Sequence, residues 1–563
     1  MRWPTASAEH EDTWRRGWLG RGLLLTLDDD IDQIARPLLP DGATLHPDQR
    51  RAIRSVVDHD TLVVLPTGSG KTLVYQVAAA LLGGVTLVIS PTLSLQADQL
   101  AGLRESGARA AAVNGNLLPA QRRRVLDDAA AGRLDVLLLT PEQATNDAVL
   151  DPLLHADVRL FAVDEAHCVA TWGVDFRPHY LALGSVIERL GRPRVLGLTA
   201  TAPPRTREAV AEGLGVPDMA VVVGNVDRPE IHLSARVTAD DDSTEEALLE
   251  LVETHDTDSG AMLVYAATRR RVDELHEMMT GIGHAVDRYH GGMRTSDRAD
   301  VLRRFRDGEA RLVLATSAFE LGIDRADVRQ VVHVDPPESL DELWQEIGRA
   351  GRDGEPASSV LLTRPGGYGL RRYFASVAGA SLGDVYAVVA SLRGLRGTQR
   401  PAAVAAAAGL STRRSRSALN LLERAGAVLE ERAGVRLSTR AHTETILERV
   451  ESMRDSLRAM QESEVDLVRR YAETDDCRRR LVLELLGEAH PDPCGRCDSC
   501  DAGTSTSATR RPFPLGADVH HASFGDGRIA QYEGDRVVVL FEQDGYRTLD
   551  LDLVESEGLL AAR

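Results

Sequence analysis

Lysine is almost missing from this chain: of its 66 Lys+Arg residues all but one are arginine, and the exception is Lys71 in "LPTGSGKT". Arginine serves wherever any positive charge will do. Position 71 is therefore expected to need a compact ammonium on a flexible stem rather than a planar, five-donor guanidinium. Aromatic residues are scarce, at 4%, so those present are wanted first for packing in the core. Long apolar runs are lacking too; stretches such as "VTLVIS" fall far short of a bilayer span, so no membrane segment is expected. The opening "MRWPTASAEHEDTWRRGWLGRGLLLTL" lacks a clean signal-peptide pattern, and the expectation is an intracellular, cytoplasmic protein with a loosely ordered tail over residues 1–30. Of only five cysteines, four lie between Cys477 and Cys500, a clustering that favours a metal over disulfides in an intracellular chain. Cys168 stands alone and is expected to be a buried small residue.

Positive charge is outnumbered, and the net charge of -19 taken as a total argues against a phosphate polymer as partner. The distribution weakens that argument. Acids gather in "LDDDID" and "TADDDSTEE", while arginines cluster in "QRRRV", "LRRFR", "STRRSR" and "CRRR", so locally basic surface is compatible with nucleic acid.

A chain of 563 residues exceeds one hydrophobic core and is expected to be modular. From about Asp60 to Ala200, β-rich runs ("TLVVLP", "VTLVIS", "DVLLLTP", "RLFAVDE", "RVLGLTAT") alternate with helical patterns, and a second set starts near Gly260 with "AMLVYAAT". Both read as parallel sheets wrapped by helices, divided by the acidic stretch around Asp240 to Glu246. After Thr363 the chain turns to Ala- and Arg-rich helices. "SLGDVYAVVASLRGL", "RPAAVAAAAGL" and "STRRSRSALNLLERAGAV" precede a two-stranded "LEERAGVRLSTR", a pattern that resembles a winged helix with Ser411 as N-cap of its recognition helix. A long amphipathic helix from about Thr443 to Glu473, a linker "AGTSTSATRRPFPLG" and a β-rich end complete the chain.

"TLVVLPTGSGKT" ends a strand in a glycine-rich turn and opens a helix, the context of a phosphate-binding loop. Backbone N–H groups around Thr67, Gly68, Ser69 and Gly70 converge on phosphate oxygens, Lys71 reaches the β/γ-phosphates, and the Thr72 hydroxyl is offered to Mg²⁺. "FAVDEAHC" ends a strand in Asp164 and Glu165, one carboxylate to hold the Mg²⁺ and its neighbour to polarise the attacking water. In "QEIGRAGRDG", Arg349 and Arg352 are three apart and expected on one face of a helical turn, one of them as an arginine finger. Cys477, Cys494, Cys497 and Cys500 form C-x16-C-x2-C-x2-C, which suits a closed, structural four-thiolate Zn²⁺ site; a redox pair is the alternative.

"DEAHCVATWGVDFRPHY", "LGLTATA", "ATSAFELGIDRADVRQVVH" and "QEIGRAGRDG", in this order, with "CRRRLVLELLGE" and "CGRCDSC" further on, resemble the RecQ group of superfamily 2 DNA helicases. The resemblance implies an α/β protein with two tandem RecA-like domains, ATP hydrolysis at their interface, and 3′-to-5′ movement along single-stranded DNA that unwinds duplexes in repair or recombination. By position, Gln49 is similar to the adenine-reading glutamine. Thr199 and Thr201 resemble couplers of hydrolysis to DNA contact, and Asp324 and Gln345 resemble ATP-interface residues. Trp172, Phe176 and Arg177 in "TWGVDFRP" resemble a loop that contacts single-stranded DNA, a task that suits aromatics because stacking tolerates any base. The chain departs from the pattern at Leu45 and His46 before the glutamine, at Val174, at Glu320, and in placing a winged-helix-like unit before the cysteines. The last unit resembles the Tudor-like, SH3-like barrel at the C-terminus of UvrD/PcrA-type helicases, which implies recruitment of RNA polymerase or a repair factor.

The resulting division is a tail at 1–30, RecA-like domains at 31–225 and 226–375, a winged-helix-like unit at 381–440, a zinc-binding helical hairpin at 441–502, a linker at 503–514 and the barrel at 515–563. The expected ligands are ATP, Mg²⁺, Zn²⁺ and single-stranded or forked DNA. An RNA helicase, or a DNA-binding regulator with an inactive core, stays open as an alternative.

Overall fold

The computed structural model describes residues 26–39, 42–170, 178–256, 258–319, 325–377, 380–395, 397–431, 434–490, 492–505, 507 and 511–563. The chain forms two compact units, the first from Met1–Thr171, His179–Pro365 and Ala472–Ser507, the second chiefly from Gly366–Tyr471 and Ala508–Arg563.

The first unit holds two parallel sheets. β1 (Thr61–Val64), β2 (Val85–Ile89), β3 (Ala110–Val113), β4 (Val136–Leu139), β5 (Val158–Val163), β6 (Arg194–Thr199) and β7 (Ala220–Val223) run in the order β3-β4-β2-β5-β6-β1-β7. β1, β2 and β4 are buried at every position, which explains their unbroken apolar runs: helices cover both faces, so no alternation is required. The second sheet comprises β8 (Ile231–Val237), β9 (Ala261–Tyr265), β10 (Asp287–Tyr289), β11 (Leu312–Ala315), β12 (Val328–His333) and β13 (Ala357–Thr363), in the order β10-β11-β9-β12-β13-β8. Each sheet has its own aliphatic core.

Three sequence expectations are corrected here. The acidic stretch around Asp240 is no divider: it opens the helix Asp241–Thr254, whose N-cap Asp240 accepts a bond from the Ser243 N–H at 2.9 Å. Acids there complement the positive end of the helix. The second lobe starts at β8, well before Gly260, so the chain passes from one sheet to the other over residues 224–230. At the other end, the capped helix Leu27–Ala35 begins inside the stretch read as a tail.

The cysteine segment returns to the first unit. Leu233 N–H donates to the Arg496 carbonyl at 3.2 Å and Ala235 N–H to Asp498 Oδ2 at 3.0 Å, so this segment covers the outer edge of β8 and satisfies groups an edge strand would leave bare.

In the second unit, helices Leu382–Gly394, Pro401–Ala407 and Thr412–Arg424 are followed by the antiparallel pair β14 (Val428–Glu431) and β15 (Gly434–Leu437). They share a core of Val385, Val388, Leu419, Leu422 and Val435 with Ile446 and Val450 of the helix Thr443–Glu473. β16 (Asp518–His521), β17 (Gly525–Glu533), β18 (Arg536–Phe541), β19 (Gly545–Asp550) and β20 (Leu560–Ala562) form an antiparallel sheet in the order β19-β18-β17-β16-β20. That sheet is seated on the long helix, where Ser463 Oγ accepts a bond from the Tyr546 N–H at 2.9 Å and Arg470 pairs with Glu533. Among the described residues no helix is long and apolar enough to cross a membrane.

Candidate active site

In an open parallel sheet, loops beyond the carboxyl ends of the strands converge on one crevice. Lys71 follows β1, Asp164 and Glu165 follow β5, and Thr199 closes β6. Gly70 sits at φ +73° as N-cap of the helix Lys71–Leu82, a left-handed conformation that glycine adopts without penalty. A Cβ there would also lie 2.7 Å from Gln49 Nε2. Gln49 is buried and donates from that nitrogen to the Ser69 carbonyl at 2.7 Å, so it supports the loop directly. Lys71 Nζ donates to the carbonyls of Leu65 (3.1 Å) and Pro66 (3.4 Å). Burial lowers its pKa, against the opposing pull of Glu165 and Asp164.

Asp164 is 7% exposed and accepts from Gln99 Nε2 at 2.7 Å. Burial, and then the neighbouring Glu165 charge, push its carboxyl up to about 6. A divalent cation would let the Asp164 carboxylate stay ionised, so a donor set of Asp164 with the Thr72 hydroxyl fits Mg²⁺. Glu165 itself is held at φ +48°, a strained conformation for a residue with a Cβ and one that clusters at functional sites.

A line of polar contacts leaves this acidic pair for the second lobe. Glu165 Oε2 lies 3.4 Å from His167 Nδ1, which lies 2.9 Å from Thr199 Oγ1. Thr199 donates to the Thr201 carbonyl at 2.8 Å, and Gln345 Nε2 donates to Thr201 Oγ1 at 2.6 Å. The helix Leu340–Ile347 ends at Gly348, so Arg349 and Arg352 lie in successive turns rather than on a helix face as expected. Of the three glycines in "GRAGRDG", Gly351 (φ +60°) and Gly354 (φ +82°) take left-handed conformations that a continued helix does not admit. The arginines still meet the phosphate loop. A Cβ on Gly68 would lie 3.2 Å from Arg352 Cδ, and Thr67 Oγ1 donates to the Gly348 carbonyl at 2.7 Å. Ser69 Oγ and Arg349 Nε are shielded from solvent with no hydrogen-bond partner among the described residues, as donors kept for an anion would be.

Residues 46–210 match the DEAD/DEAH box helicase family, residues 243–354 the helicase conserved C-terminal domain, and residues 440–501 the RecQ zinc-binding family. The chain is 38% identical over 347 residues to the probable ATP-dependent DNA helicase RecS of Bacillus subtilis, covering 61% of this chain and 69% of that one. It is 31% identical over 462 residues to the ATP-dependent DNA helicase RecQ of a Synechocystis species, covering 79% of this chain and 92% of that one. The chain belongs to the RecQ family of ATP-dependent DNA helicases. A DUF1998 helicase, MrfA, solved bound to DNA, shares the fold at 20% identity and a TM-score of 0.50, over 77% of this chain and 65% of that one. The two sheets are thus tandem RecA-like domains.

The RecQ-type zinc segment has the donor set its name implies. The Sγ atoms of Cys477, Cys494, Cys497 and Cys500 all lie within 4.8 Å of one another, with Cys494 and Cys500 3.9 Å apart. Four sulfurs around one tetrahedral Zn²⁺ need about this spacing, given Zn–S bonds of about 2.3 Å. The hydrogen bond that Cys477 donates to Cys494 pushes the Cys477 thiol up to about 11, because neighbouring sulfurs share a proton until a cation joins them. Cys168 is half-buried rather than buried, its Sγ 3.7 Å from His167 Nε2.

Among the residues expected at this RecQ-type site, Trp172, Phe176, Arg177 and Asp324, with Val174 and Glu320, lie outside the described residues. Sequence reasoning missed Gln99, His167 and Asp341, whose carboxyl burial pushes up beside Thr201. Their one available signal was position: His167 follows β5, Asp341 is early in the helix "LDELWQEI", and Gln99 lies in the helix Leu93–Glu105 that follows β2.

Proposed function

We propose that the chain couples ATP hydrolysis to 3′-to-5′ translocation on single-stranded DNA and to duplex unwinding, in repair or recombination. The observation that carries this reading is the approach of Arg349 and Arg352 from one lobe to the phosphate loop of the other, with Gln345 joined to Thr201 beside it. Residues from two lobes around one loop make hydrolysis sensitive to lobe closure, and DNA held across the lobes favours closure.

In this reading the loop N–H groups from Thr67 to Gly70 and the Lys71 ammonium hold the β/γ-phosphates, and Gln49 reads adenine. Mg²⁺, held by Thr72 and Asp164, supplies charge neutralisation on the phosphate oxygens when bound. Glu165 orients a water for in-line attack on the γ-phosphorus and takes its proton, ADP leaves, and Arg349 with Arg352 offsets charge on the transferring group. His167, Thr199, Thr201, Gln345 and Asp324 link that event to lobe position, and Trp172, Phe176 and Arg177 report single-stranded DNA. Zn²⁺ on the four cysteines is structural, because a closed four-sulfur shell leaves no open position.

The remaining divisions are part of the same proposal: RecA-like domains at 31–225 and 226–375, a winged-helix-like unit at 381–440 for duplex DNA, the zinc hairpin at 441–502, and an SH3/Tudor-like barrel at 515–563 for RNA polymerase or a repair factor. The setting is cytoplasmic, at the nucleoid. The test is ATPase rate with and without single-stranded DNA, together with strand separation on 3′-overhang, 5′-overhang, forked and RNA-hybrid duplexes. DNA-stimulated turnover and unwinding from a 3′ overhang are expected. Equal ATPase rates with and without DNA would overturn the translocase reading, and preference for the RNA hybrid would favour an RNA helicase.

A further inference from the structure

The strap between the lobes, Val226 to Ile231, is bonded along both sides by guanidinium groups, on one side Arg228, which no sequence motif singled out, and on the other Arg479 of "CRRRLVLELLGE". Facing the arginine turns, Arg228 is 7% exposed and donates from Nη1 to the Gly348 carbonyl (2.7 Å) and from Nη2 to the Ala350 carbonyl (2.6 Å). These carbonyls flank Arg349. Trp344 Nε1 donates to the Val226 carbonyl at 3.1 Å, and Ala357 N–H to the Glu230 carbonyl at 3.1 Å. Facing the zinc segment, Arg479 is 2% exposed; it pairs with Asp227 and donates to the carbonyls of Arg228 (2.7 Å) and Ile231 (2.5 Å). Glu488 accepts from the Val226 N–H at 3.3 Å.

Burying a guanidinium is costly unless its donors are matched. Here both are matched to backbone carbonyls, which fixes main-chain conformation as well as charge. A planar group bridging the carbonyls before and after one residue holds that residue in place, and Arg349 lacks a partner at its own Nε. Its position is therefore carried by its backbone. The chain of contacts runs from Cys477, N-cap of the helix Arg478–Leu485, through Arg479 to the strap, through Arg228 to the turn, and so to Arg349.

We propose that Arg228 is a positioning residue that holds Arg349 against the phosphate loop, and that Arg479 extends this hold to the zinc segment, so that the metal site sets turnover through two guanidinium-to-carbonyl clamps. This rests on the ATPase reading above. A positioning loss acts on kcat and leaves the ATP KM nearly unchanged.

The experiment is a double-mutant cycle on the full chain with saturating single-stranded DNA, reading kcat, ATP KM, zinc content and thermal melting. Arg349→Ala is expected to lower kcat by ~10³-fold. Arg228→Gln is expected to lower it by ~10²-fold, the scale of a misplacement of about 1 Å, with zinc retained. The double variant is expected to be no slower than Arg349→Ala, because Arg228 then has nothing left to position. Arg479→Lys, which cannot span two carbonyls, is expected to lower kcat by ~10-fold at unchanged KM. If Arg228→Gln fails to fold, Arg228→Lys carries the same cycle. Wild-type kcat in Arg349→Ala would overturn the site reading itself. Loss in Arg349→Ala with wild-type turnover in Arg228→Gln, or multiplying losses in the double variant, would overturn the positioning inference alone.

Discussion

In the first unit the chemistry-bearing side chains sit in short turns just beyond parallel strands or at helix ends, held by buried polar contacts such as Gln99 to Asp164 and Arg228 to Gly348. In the second unit the comparable charged groups lie on helix faces and strand edges. Arg413 is exposed, and Arg414, next to it, already spends two donors on Asp384, at 2.5 and 3.2 Å. The difference teaches what kind of pattern encodes function. A turn that must cradle a phosphate restricts residue type at nearly every position, whereas a helix face restricts only the side that packs.

The comparison breaks first at Lys71. Replacing it by Arg keeps the charge but not the shape, and Nζ sits among the Leu65 and Pro66 carbonyls, where a guanidinium does not fit. Lys71→Arg and Glu165→Gln are each expected to lower DNA-stimulated kcat by roughly 10²–10⁴-fold, with zinc content and melting unchanged. Steady-state ATPase assays and metal analysis check this, and a Lys71→Arg variant of normal activity would remove the account of the lone lysine.

Next comes the metal. Cys497 is fully buried and bridges to Leu233 on β8, so Cys497→Ser removes a ligand and uncovers a sheet edge together. We expect loss of bound zinc and a melting temperature lower by roughly 10 °C, since a few kcal/mol shifts a domain of this size by about that much. Calorimetry of the variant, and of wild type after chelation, measures it.

The second unit is sharpened by Gly545. Its φ is +70°, and a Cβ there would collide with Ser463 Oγ and lie 3.0 Å from the Ala459 carbonyl. Gly545→Val is expected to cost about 1–3 kcal/mol in the seating of the C-terminal sheet. ATPase kcat should stay within about twofold of wild type, because no residue of the site is touched. Limited proteolysis of residues beyond β15, alongside the ATPase rate, separates the two effects.

Much of the first unit was legible because strands such as β1, β2 and β4 are apolar runs and its turns carry motifs. What escaped has physical reasons. β3 is "AAAV", which reads as helix former, and β8, "IHLSARV", is a half-exposed edge strand whose polar residues hide its period. The acidic run after it looked like a linker because a helix N-terminus and a disordered stretch both favour Asp and Ser. Arg228, and the task of Arg479 within "CRRRLVLELLGE", escaped because a buried arginine bonded to carbonyls has the same letter as a solvated one; only long-range contact distinguishes them. In the second unit the helix Thr412–Arg424 and the pair β14–β15 appear where periodicity put them, yet their task was not written in the same letters, since packing alone produces that pattern.

The smallest expected effect tests whether the helix Thr412–Arg424 acts as a reading element or only as packing. Ser411 caps it, its Oγ accepting the Arg414 N–H at 3.3 Å. Ser411→Ala is expected to cost about 1 kcal/mol, read as a small fall in the melting of the second unit. If the helix end meets duplex DNA, the same variant should also weaken binding to a forked duplex at low salt, because fraying moves Arg413 and Arg414 off their register with the phosphates. Single-stranded DNA binding should not change. Fork affinity that falls no further than single-strand affinity would assign this helix to packing and leave substrate recognition to the first unit.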